Sequence, residues 1–389
     1  MSMRMRGTFT RLLPVHAASA VFGLAYGLSA PLISLGLHQR GATESLIGAN
    51  AAMYAIGVLA AAFNLPRLIA RWGSWLVLAL GLLLVGLVLP AFWLLPWVGC
   101  WFVLRLLLGS ASETVMVLTE TWVSVESSDA RRSTNMAVYT ASLSAGFAVG
   151  PAIISVLGTQ SWAPYAVGGA LPVIALIMLM LGRARPPSEP ASNEHRSLLA
   201  LAASAPLAMS ASALNAALEA SGLSLLPIYA IKQGWTTASA TLLISTLMLG
   251  AIVLQLPIGW LGDRFPRRPM ILVLSLVSAA GACAWPWAIS TPMLAYGVLF
   301  AWGGAFVGIY TLVVTEVGAS YRGRELVALY GAMSIAWGLG ALLGPIGAGL
   351  ALELSPHGLP YFAAACCGFF AISLMVHRPP GDSNKVPAE

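Results

Sequence analysis

The chain has 389 residues, of which 58% are hydrophobic and only 9% are charged, and its mean hydropathy is +0.83. Soluble proteins carry about 25% charged residues, so this chain cannot cover a water-exposed surface and its solvent must be lipid. The net charge of +6 does not indicate nucleic-acid binding, because the basic residues are scattered at the ends of apolar runs. The four cysteines lie in apolar runs, without the spacing of a metal or disulfide site.

The N-terminal segment has three arginines followed by an apolar run, which is also the pattern of a signal peptide. Ala18-Ser19-Ala20 resembles a cleavage site, but the apolar stretch before it, Leu12 to Ala17, is short and contains Pro14. The run continues to Leu37 and is long enough to span a bilayer. The sequence therefore predicts that it is the first transmembrane helix.

Twelve apolar runs predict membrane-spanning helices, which need roughly 20 residues and satisfy their own backbone polar groups in lipid. The chain is thus expected to be an all-α membrane protein. The first six runs are 12–37, 44–65, 74–92, 98–122, 133–157 and 164–182. The second six are 203–231, 236–260, 269–289, 293–318, 325–350 and 359–377.

The lysines and arginines predict the orientation, since cytoplasmic loops carry an excess of them. If the N-terminus is cytoplasmic, every Lys and Arg falls on the cytoplasmic side except Arg40 and Lys232, which fall outside, and Arg105, which lies within a helix. An error in the helix count would scramble this alternation. We therefore expect a multi-pass protein of the bacterial inner (cytoplasmic) membrane, with both termini in the cytoplasm.

A segment rich in proline, serine and charge, 183–202, divides the chain near its middle and is typical of a linker. It separates two predicted six-helix bundles, 1–182 and 203–378, and a cytoplasmic tail, 379–389, follows the second bundle. The sequence thus predicts two domains of similar size.

The two halves resemble each other at a near-constant offset. Gly150-Pro151 recurs as Gly344-Pro345 and Thr119-Glu120 as Thr315-Glu316, and two further matches follow the same order. Transporters built from such repeats hold their substrate between the halves, near the bilayer midplane.

The loop 259–268 lies between the eighth and ninth predicted helices and reads GWLGDRFPRR. It resembles the Gly-x-Leu-x-Asp-Arg-x-Gly-Arg-Arg loop of the major facilitator superfamily, except that Pro266 replaces the second glycine. The resemblance implies a latch in which a carboxylate and guanidinium groups hold neighbouring helices in one state; a plain basic loop is the alternative. The first-half loop has Ala70 in place of the aspartate, so gating there is left open. The predicted latch residues are Asp263, Arg264, Arg267, Arg268, Arg71, Glu120 and Glu316.

Three shorter patterns resemble the same superfamily. Arg105 and Gly109 match its Arg-x-x-x-Gly pattern, and 146–151 resembles its antiporter motif, for which close helix packing is an equal alternative. Residues 119–122 resemble an element of the YcaD-like branch. The resemblance covers the whole chain and implies two pseudo-symmetric six-helix bundles that transport by alternating access.

The fourth predicted helix places Arg105, Glu113 and Glu120 on one face. Each ionisable group at a helix centre costs about 2.5–3.5 kcal/mol on insertion scales, and such groups usually face a bundle interior or a cavity. Asn215 and Glu219 share a stripe of the seventh helix. We expect Glu113 and Glu219 to titrate protons or bind a cation, and Arg105 to tune them or to bind an anionic group. A fixed interhelical hydrogen bond or ion pair is the alternative.

Aromatic and amide side chains are the candidate substrate contacts. Aromatic residues in membrane helices also pack or face lipid, which is the alternative reading of each. A cavity with aromatic walls and few charges suits an amphipathic or apolar substrate. The predicted substrate-binding residues are Tyr26, Asn50, Tyr54, Asn215, Trp302, Phe306, Tyr310 and Trp337.

Together these features favour proton-coupled export (antiport) of an amphipathic compound or metabolite. Proton-coupled uptake (symport) or facilitated diffusion of a metabolite such as a sugar, organic acid or siderophore is the alternative. The chain lacks a phosphate-binding Gly-Lys-Ser/Thr loop and a His-Glu-x-x-His motif, so neither an ATP-driven pump nor a metalloprotease is expected. We expect a monomer that is not an enzyme and needs no metal or cofactor. Its expected partners are a small-molecule substrate, protons or another coupling ion, and the lipid bilayer.

Overall fold

The computed structural model describes residues 3–126, 132–181, 205–321 and 323–376, and every regular element in these ranges is a helix. The first half contains α1 (Met3–Gln39), α2 (Glu44–Leu94), α3 (Val98–Glu126), α4 (Arg132–Leu157) and α5 (Ala163–Leu181). The second half contains α6 (Pro206–Lys232), α7 (Thr237–Val253), α8 (Gln255–Arg264), α9 (Arg267–Ala288), α10 (Pro292–Ser320), α11 (Gly323–Leu354) and α12 (Gly358–Val376). The predicted linker 183–202 and the predicted tail 379–389 lie outside the described residues.

Helix α2 supplies two membrane crossings. Its 51 residues measure about 77 Å at 1.5 Å per residue, more than twice the roughly 30 Å thickness of the apolar bilayer. Gly73, with φ of 77° and ψ of 152°, divides the helix into two arms. Within the described ranges, eleven helices are long and apolar enough to cross a membrane, with α2 counted once and α7 joined to α8. Because α2 crosses twice, the prediction of twelve crossings is confirmed.

Several helix ends differ from the predicted ones. Residues 66–72, predicted as a loop, continue the first arm of α2 although Pro66 lies inside it. Helix α1 begins at Met3 rather than at residue 12, and the predicted helix 236–260 is divided between α7 and α8. The apolar run marks only the membrane-embedded part of each helix, whereas backbone hydrogen bonding continues into the polar residues beyond it.

The duplication is visible in the backbone of two equivalent turns. Gly41 after α1 and Gly234 after α6 have φ values of 79° and 90°, in the left-handed region that favours glycine. Thr43 and Thr236 then cap the next helix, each side chain accepting a 3.3 Å hydrogen bond from the backbone N–H three residues on. The two halves therefore begin their second helix in the same way.

Paired glycines bring helices into backbone contact in each half. A Cβ on Gly57 of α2 would overlap a carbonyl oxygen of α3, and a Cβ on Gly109 of α3 would overlap the carbonyl oxygen of Tyr54. Gly250 and Gly303 make the equivalent crossing between α7 and α10. Without a hydrophobic driving force in lipid, such close van der Waals packing holds helices together. The glycine of the Arg-x-x-x-Gly pattern is thus a packing residue.

Among the described residues, the two halves meet along four helix pairs, α1 with α6, α2 with α6, α2 with α11, and α4 with α7. The last two pairs are equivalent under the duplication, because α2 corresponds to α7 and α4 to α11. Where α2 crosses α11, a Cβ on Gly48 would overlap the carbonyl oxygen of Pro345. The predicted arrangement of two pseudo-symmetric helical bundles is confirmed, and its central seam is where buried polar groups can meet.

We expect Gly109→Ala to destabilise the protein by about 1–3 kcal/mol, the usual cost of overpacking, because the new methyl group overlaps the Tyr54 carbonyl. Gly99→Ala on the same helix is the matched control, since a Cβ at Gly99 meets no atom within 4 Å. Thermal unfolding of both variants in detergent measures the difference. Equal unfolding temperatures would contradict the close contact between α2 and α3.

Candidate functional site

Arg105 of α3 is a buried cation at the centre of the first half, with only 2% of its surface exposed. Its Nη1 donates to the Ser29 carbonyl at 3.3 Å, and its guanidinium carbon lies 5.4 Å from the centre of the Tyr54 ring. Its Nε has no hydrogen-bond partner. Among the described residues, no carboxylate forms an ion pair with it. The guanidinium is therefore held by a carbonyl and an aromatic ring alone.

Three tyrosines surround Glu219 at the seam between the halves. Tyr26 and Tyr54 contact each other with ring centres 5.0 Å apart, and each lies close enough to Glu219 of α6 to interact with it electrostatically. Tyr310 of α10 does the same from the second half. Tyr54 also interacts with Glu113. Both carboxylates thus lie within electrostatic range of Tyr54, and Glu219 also lies within range of Tyr26 and Tyr310.

Two buried amides lie near this cluster on the same helices. Asn215 donates its Nδ2 hydrogen to Glu219 at 3.4 Å, one helical turn away, and its Oδ1 has no partner. Asn50, only 1% exposed, leaves its Nδ2 without a partner. Both amides keep free hydrogen-bonding capacity in an apolar interior. Their predicted role in substrate binding stays a prediction.

The remaining aromatic candidates divide into two groups. Trp337 of α11 packs beside Ala55 and Ala216, which come from opposite halves, and so lies at the seam. Trp302 and Phe306 pack inside the second half instead: their rings lie 4.5 Å apart, and the Trp302 indole N–H donates to the Ser278 carbonyl at 2.8 Å. These contacts do not bring Trp302 and Phe306 into the tyrosine cluster, and their binding role remains untested.

A small cavity lies between the halves at this site. It has a volume of about 10 Å³, room for roughly one water molecule. In this conformation the two halves therefore close upon the site. The cavity is lined by Tyr26, Ala30, Ala51, Tyr54, Ala55, Arg105, Ala220, Ser224 and Ala341.

A sequence match identifies the protein family to which this architecture belongs. The model of the major facilitator superfamily matches residues 15–345 and, again, 208–389. The chain belongs to the major facilitator superfamily. Members of this superfamily are secondary transporters rather than enzymes, and the chain is a multi-pass membrane transporter that binds a small molecule.

Named relatives and solved structures agree with this assignment. The MFS-type transporter YfkF of Bacillus subtilis is 26% identical over 371 residues, covering 92% of this chain and 93% of YfkF. The MFS-type transporter YcaD of Shigella flexneri is 24% identical, covering 97% of this chain and 98% of YcaD. The predicted likeness to the YcaD-like branch is thereby confirmed.

Two solved structures share the fold. A crystal structure of a variant of the nucleoside transporter NupG matches with a TM-score of 0.80 and 16% identity, covering 94% of this chain and 99% of NupG. A D-xylose–proton symporter matches with a TM-score of 0.77 and 14% identity, covering 95% and 98%. At these identities the likeness shows the fold alone.

The predicted outer end of the transporter is held shut by contacts between the halves. Lys232 at the end of α6 forms a 2.8 Å ion pair with Glu44 at the start of α2, and the backbone N–H of Ser45 donates to Glu353 of α11 at 3.2 Å. None of these four residues was predicted from the sequence as a site residue. The available signal was Lys232 itself, since it is one of two basic residues predicted to lie outside.

The predicted latch residues lie at the opposite end. Asp263 and Arg264 are exposed, and the Arg264 guanidinium carbon lies 3.8 Å from the centre of the Trp260 ring. Arg268 donates to the Leu374 carbonyl at 3.0 Å and so ties the start of α9 to α12. Within the described part of the chain, Asp263 forms no ion pair. The latch remains a prediction.

The other latch candidates, Arg71 and Glu120, are exposed, whereas Glu316 is half-buried with its Oε2 unpartnered. The basic residues nearest to Glu120 and Glu316 in the sequence are Arg131, Arg132, Arg322 and Arg324, and their side chains are not among those that the structure describes. Glu316 also lines a largely apolar groove of about 1110 Å³ between α6, α10, α11 and α12.

We expect Lys232→Ala to raise the fraction of outward-open transporter, because it removes the ion pair that joins the halves. A pair of this exposure contributes about 0.2–1 kcal/mol, so the increase should be up to roughly fivefold. Labelling of a cysteine at Ser224 by a membrane-impermeant maleimide, in a cysteine-free background in right-side-out vesicles, measures it.

The matched control is Arg40→Ala at the same end, since Arg40 bonds the Gly36 carbonyl of its own helix at 3.0 Å and stacks on Trp101 within the first half. It should leave labelling unchanged. If Lys232→Ala is labelled no faster than this control, the ion pair does not hold the outer end closed.

Proposed function

We propose that this transporter is a proton-coupled exporter that exchanges an amphipathic substrate for protons by alternating access. The observation that carries the proposal is that Glu113 and Glu219, which come from opposite halves, both lie within electrostatic range of one side chain, Tyr54. A proton bound or released there changes the charge at the seam about which the halves move. Arg105 takes part as the neighbouring cation.

Protonation of these carboxylates is coupled to conformation through desolvation. An ionised carboxylate in an apolar interior is costly, and taking up a proton removes most of that cost. When the halves part and admit water to one side, the ionised form is favoured again. Exchange of substrate for protons requires in addition that the halves close with protons bound or with substrate bound, but not with both.

The substrate class follows from the walls of the site. The rings of Tyr26, Tyr54, Tyr310 and Trp337 offer broad apolar faces, while Asn50 and Asn215 at the cluster leave amide atoms unpartnered. Apolar walls with a few polar groups are typical of small-molecule sites. An amphipathic compound or metabolite can pack against the apolar walls and form hydrogen bonds with the polar groups.

The proposal includes the orientation and the latch. Both termini lie in the cytoplasm of a bacterial inner-membrane protein that functions as a monomer, with bundles 1–182 and 203–378 joined by the linker. Opening of the outer end breaks the contacts of Glu44 with Lys232. The loop 259–268 then latches the cytoplasmic end, with Asp263 as the carboxylate and Arg268 already bound to α12.

The direction of transport rests on the resemblance of 146–151 to the antiporter motif. Its glycines also have a packing role: a Cβ on Gly146 or Gly150 of α4 would overlap the backbone of α1. The second half packs α11 on α6 through Gly340 and Gly344 in the same way. The motif therefore packs closely together two helices, α1 and α4, that each contact the second half, and export is the direction we propose from it.

Proton-coupled uptake is the second candidate function. It is favoured by the likeness to a D-xylose–proton symporter across 95% of this chain, and the same carboxylates would serve it. Facilitated diffusion follows if the carboxylates do not exchange protons. Proton movement against the substrate, with the substrate or not at all distinguishes export by antiport, uptake by symport and facilitated diffusion.

We expect Glu113→Gln and Glu219→Gln each to abolish substrate-driven proton movement while exchange of labelled for unlabelled substrate continues. The measurement uses proteoliposomes with a trapped pH indicator, to which a panel of amphipathic compounds is added from outside. For the unaltered protein, antiport makes the lumen alkaline, because entering substrate drives protons out. Glu126→Gln is the matched control, since Glu126 is exposed at the end of the same helix as Glu113.

Acidification of the lumen by added substrate would replace export by symport. If both glutamine variants move protons at the unaltered rate and with unchanged pH dependence, the assignment of the coupling carboxylates is wrong. Substrate movement with no proton movement in any protein would indicate facilitated diffusion.

A further inference from the structure

We propose that the cavity between the halves binds an anionic group of the substrate, and that Arg105 is the cation that receives it. This inference rests on the proposed function and names the charge of its substrate. The occupant is a carboxylate, phosphate or sulfonate carried on an apolar body.

The first argument is the incomplete pairing of Arg105. The guanidinium has five N–H donors and keeps its charge in proteins, yet it is 98% buried, its Nε is unpartnered and no described carboxylate pairs with it. The Tyr54 ring and the Ser29 carbonyl compensate only part of the cost of burying a charge. A water molecule in the cavity would satisfy a donor, but it would leave the charge unbalanced. An anion does both.

The second argument is the chemistry of the cavity lining. Its polar groups are the guanidinium of Arg105, the phenols of Tyr26 and Tyr54, and the hydroxyl of Ser224. All of them can donate a hydrogen bond, and no carboxylate lines the cavity. Ser224, 1% exposed, comes from the second half, and its Oγ has no partner. Donors from both halves therefore converge on one space, which favours an acceptor with negative charge.

The third argument is the size of the other lining residues. The remaining five residues are all alanines, contributed by α1, α2, α6 and α11. Their small side chains leave room for a ligand once the halves move apart, because each of these five positions presents only a methyl group to the cavity. The tyrosine rings on one side supply the apolar surface for the rest of the molecule.

The position of Glu219 also favours an anionic substrate over a cationic one. Tyr26 lies within electrostatic range of both Arg105 and Glu219. Glu219 is engaged by Asn215 at 3.4 Å and does not line the cavity. A cationic substrate would have to place its charge against the guanidinium, whereas an anionic one pairs with the guanidinium and does not contact Glu219.

The test uses three probes that share one apolar body and differ in charge: naphthalene-2-carboxylate, its neutral carboxamide, and the cationic naphthylmethylamine. Binding to the purified full-length protein in nanodiscs is measured by calorimetric titration at constant ionic strength. We expect the carboxylate to bind most tightly. Arg105→Gln should weaken its binding by roughly tenfold to a hundredfold, as expected for loss of a charge-assisted hydrogen bond, and leave binding of the carboxamide unchanged.

Arg105→Lys keeps the charge but loses the fork of donors, so it should fall between the two proteins. Ser224→Ala should reduce carboxylate binding by a smaller factor, and it keeps the test open if Arg105→Gln does not fold. Arg40→Gln is the control for general loss of positive charge and should bind like the unaltered protein.

Tighter binding of the amine or the carboxamide than of the carboxylate overturns the proposal, as does a carboxylate affinity that Arg105→Gln and Ser224→Ala leave unchanged. Absence of any carboxylate binding up to its solubility also overturns it. The titration needs no transport, so its failure leaves the proton-coupling result standing. Conversely, normal anion binding beside uncoupled transport would remove the proposed function alone.

Discussion

Ionisable side chains are the ones that cost the most free energy to bury inside a lipid-embedded helical bundle. The rest of the structure is arranged around their burial. Arg105 is buried and Glu219 is half-buried, at a seam that closes around a cavity of about 10 Å³. Such groups persist in membrane helices when they face the interior of the bundle and serve a pathway. Here, tyrosine rings and an amide lie near them and no ion pair from the described part of the chain neutralises them, so the site stays responsive to protons and ligand.

Close helix packing makes that seam possible. The crossing of α2 with α3 through Gly57 and Gly109 recurs between α7 and α10, so each half is a rigid unit built in the same way. Contacts between the halves at the predicted outer end include the exposed ion pair of Lys232 with Glu44 beside the packing of α2 on α11. Two similar halves with such contacts at one end are suited to rocking about a central site.

The sequence predicted the helices and the duplication well, because hydropathy records burial in lipid directly and the positive-inside bias fixes the helix count. It also predicted that Glu219, Tyr26 and Tyr54 face the interior of the bundle, since polar or aromatic residues on one stripe of a membrane helix avoid lipid; their roles stay predictions. It did not distinguish Trp302, whose indole donates to Ser278 within its own half, because spacing gives the face of a helix but not its neighbour. The ion pair of Glu44 was missed for the same reason: its partner lies 188 residues away.

The central claim is that the two halves open at one end only when they close at the other. Pulsed electron–electron double resonance on nanodisc samples tests this, with spin labels at Arg40 and Ser290 for the outer end, and at Ala70 and Phe265 for the inner end. The account predicts that a change from alkaline to acidic pH shifts the two distances in opposite directions. Two distances that stay fixed, or that lengthen together, would contradict it.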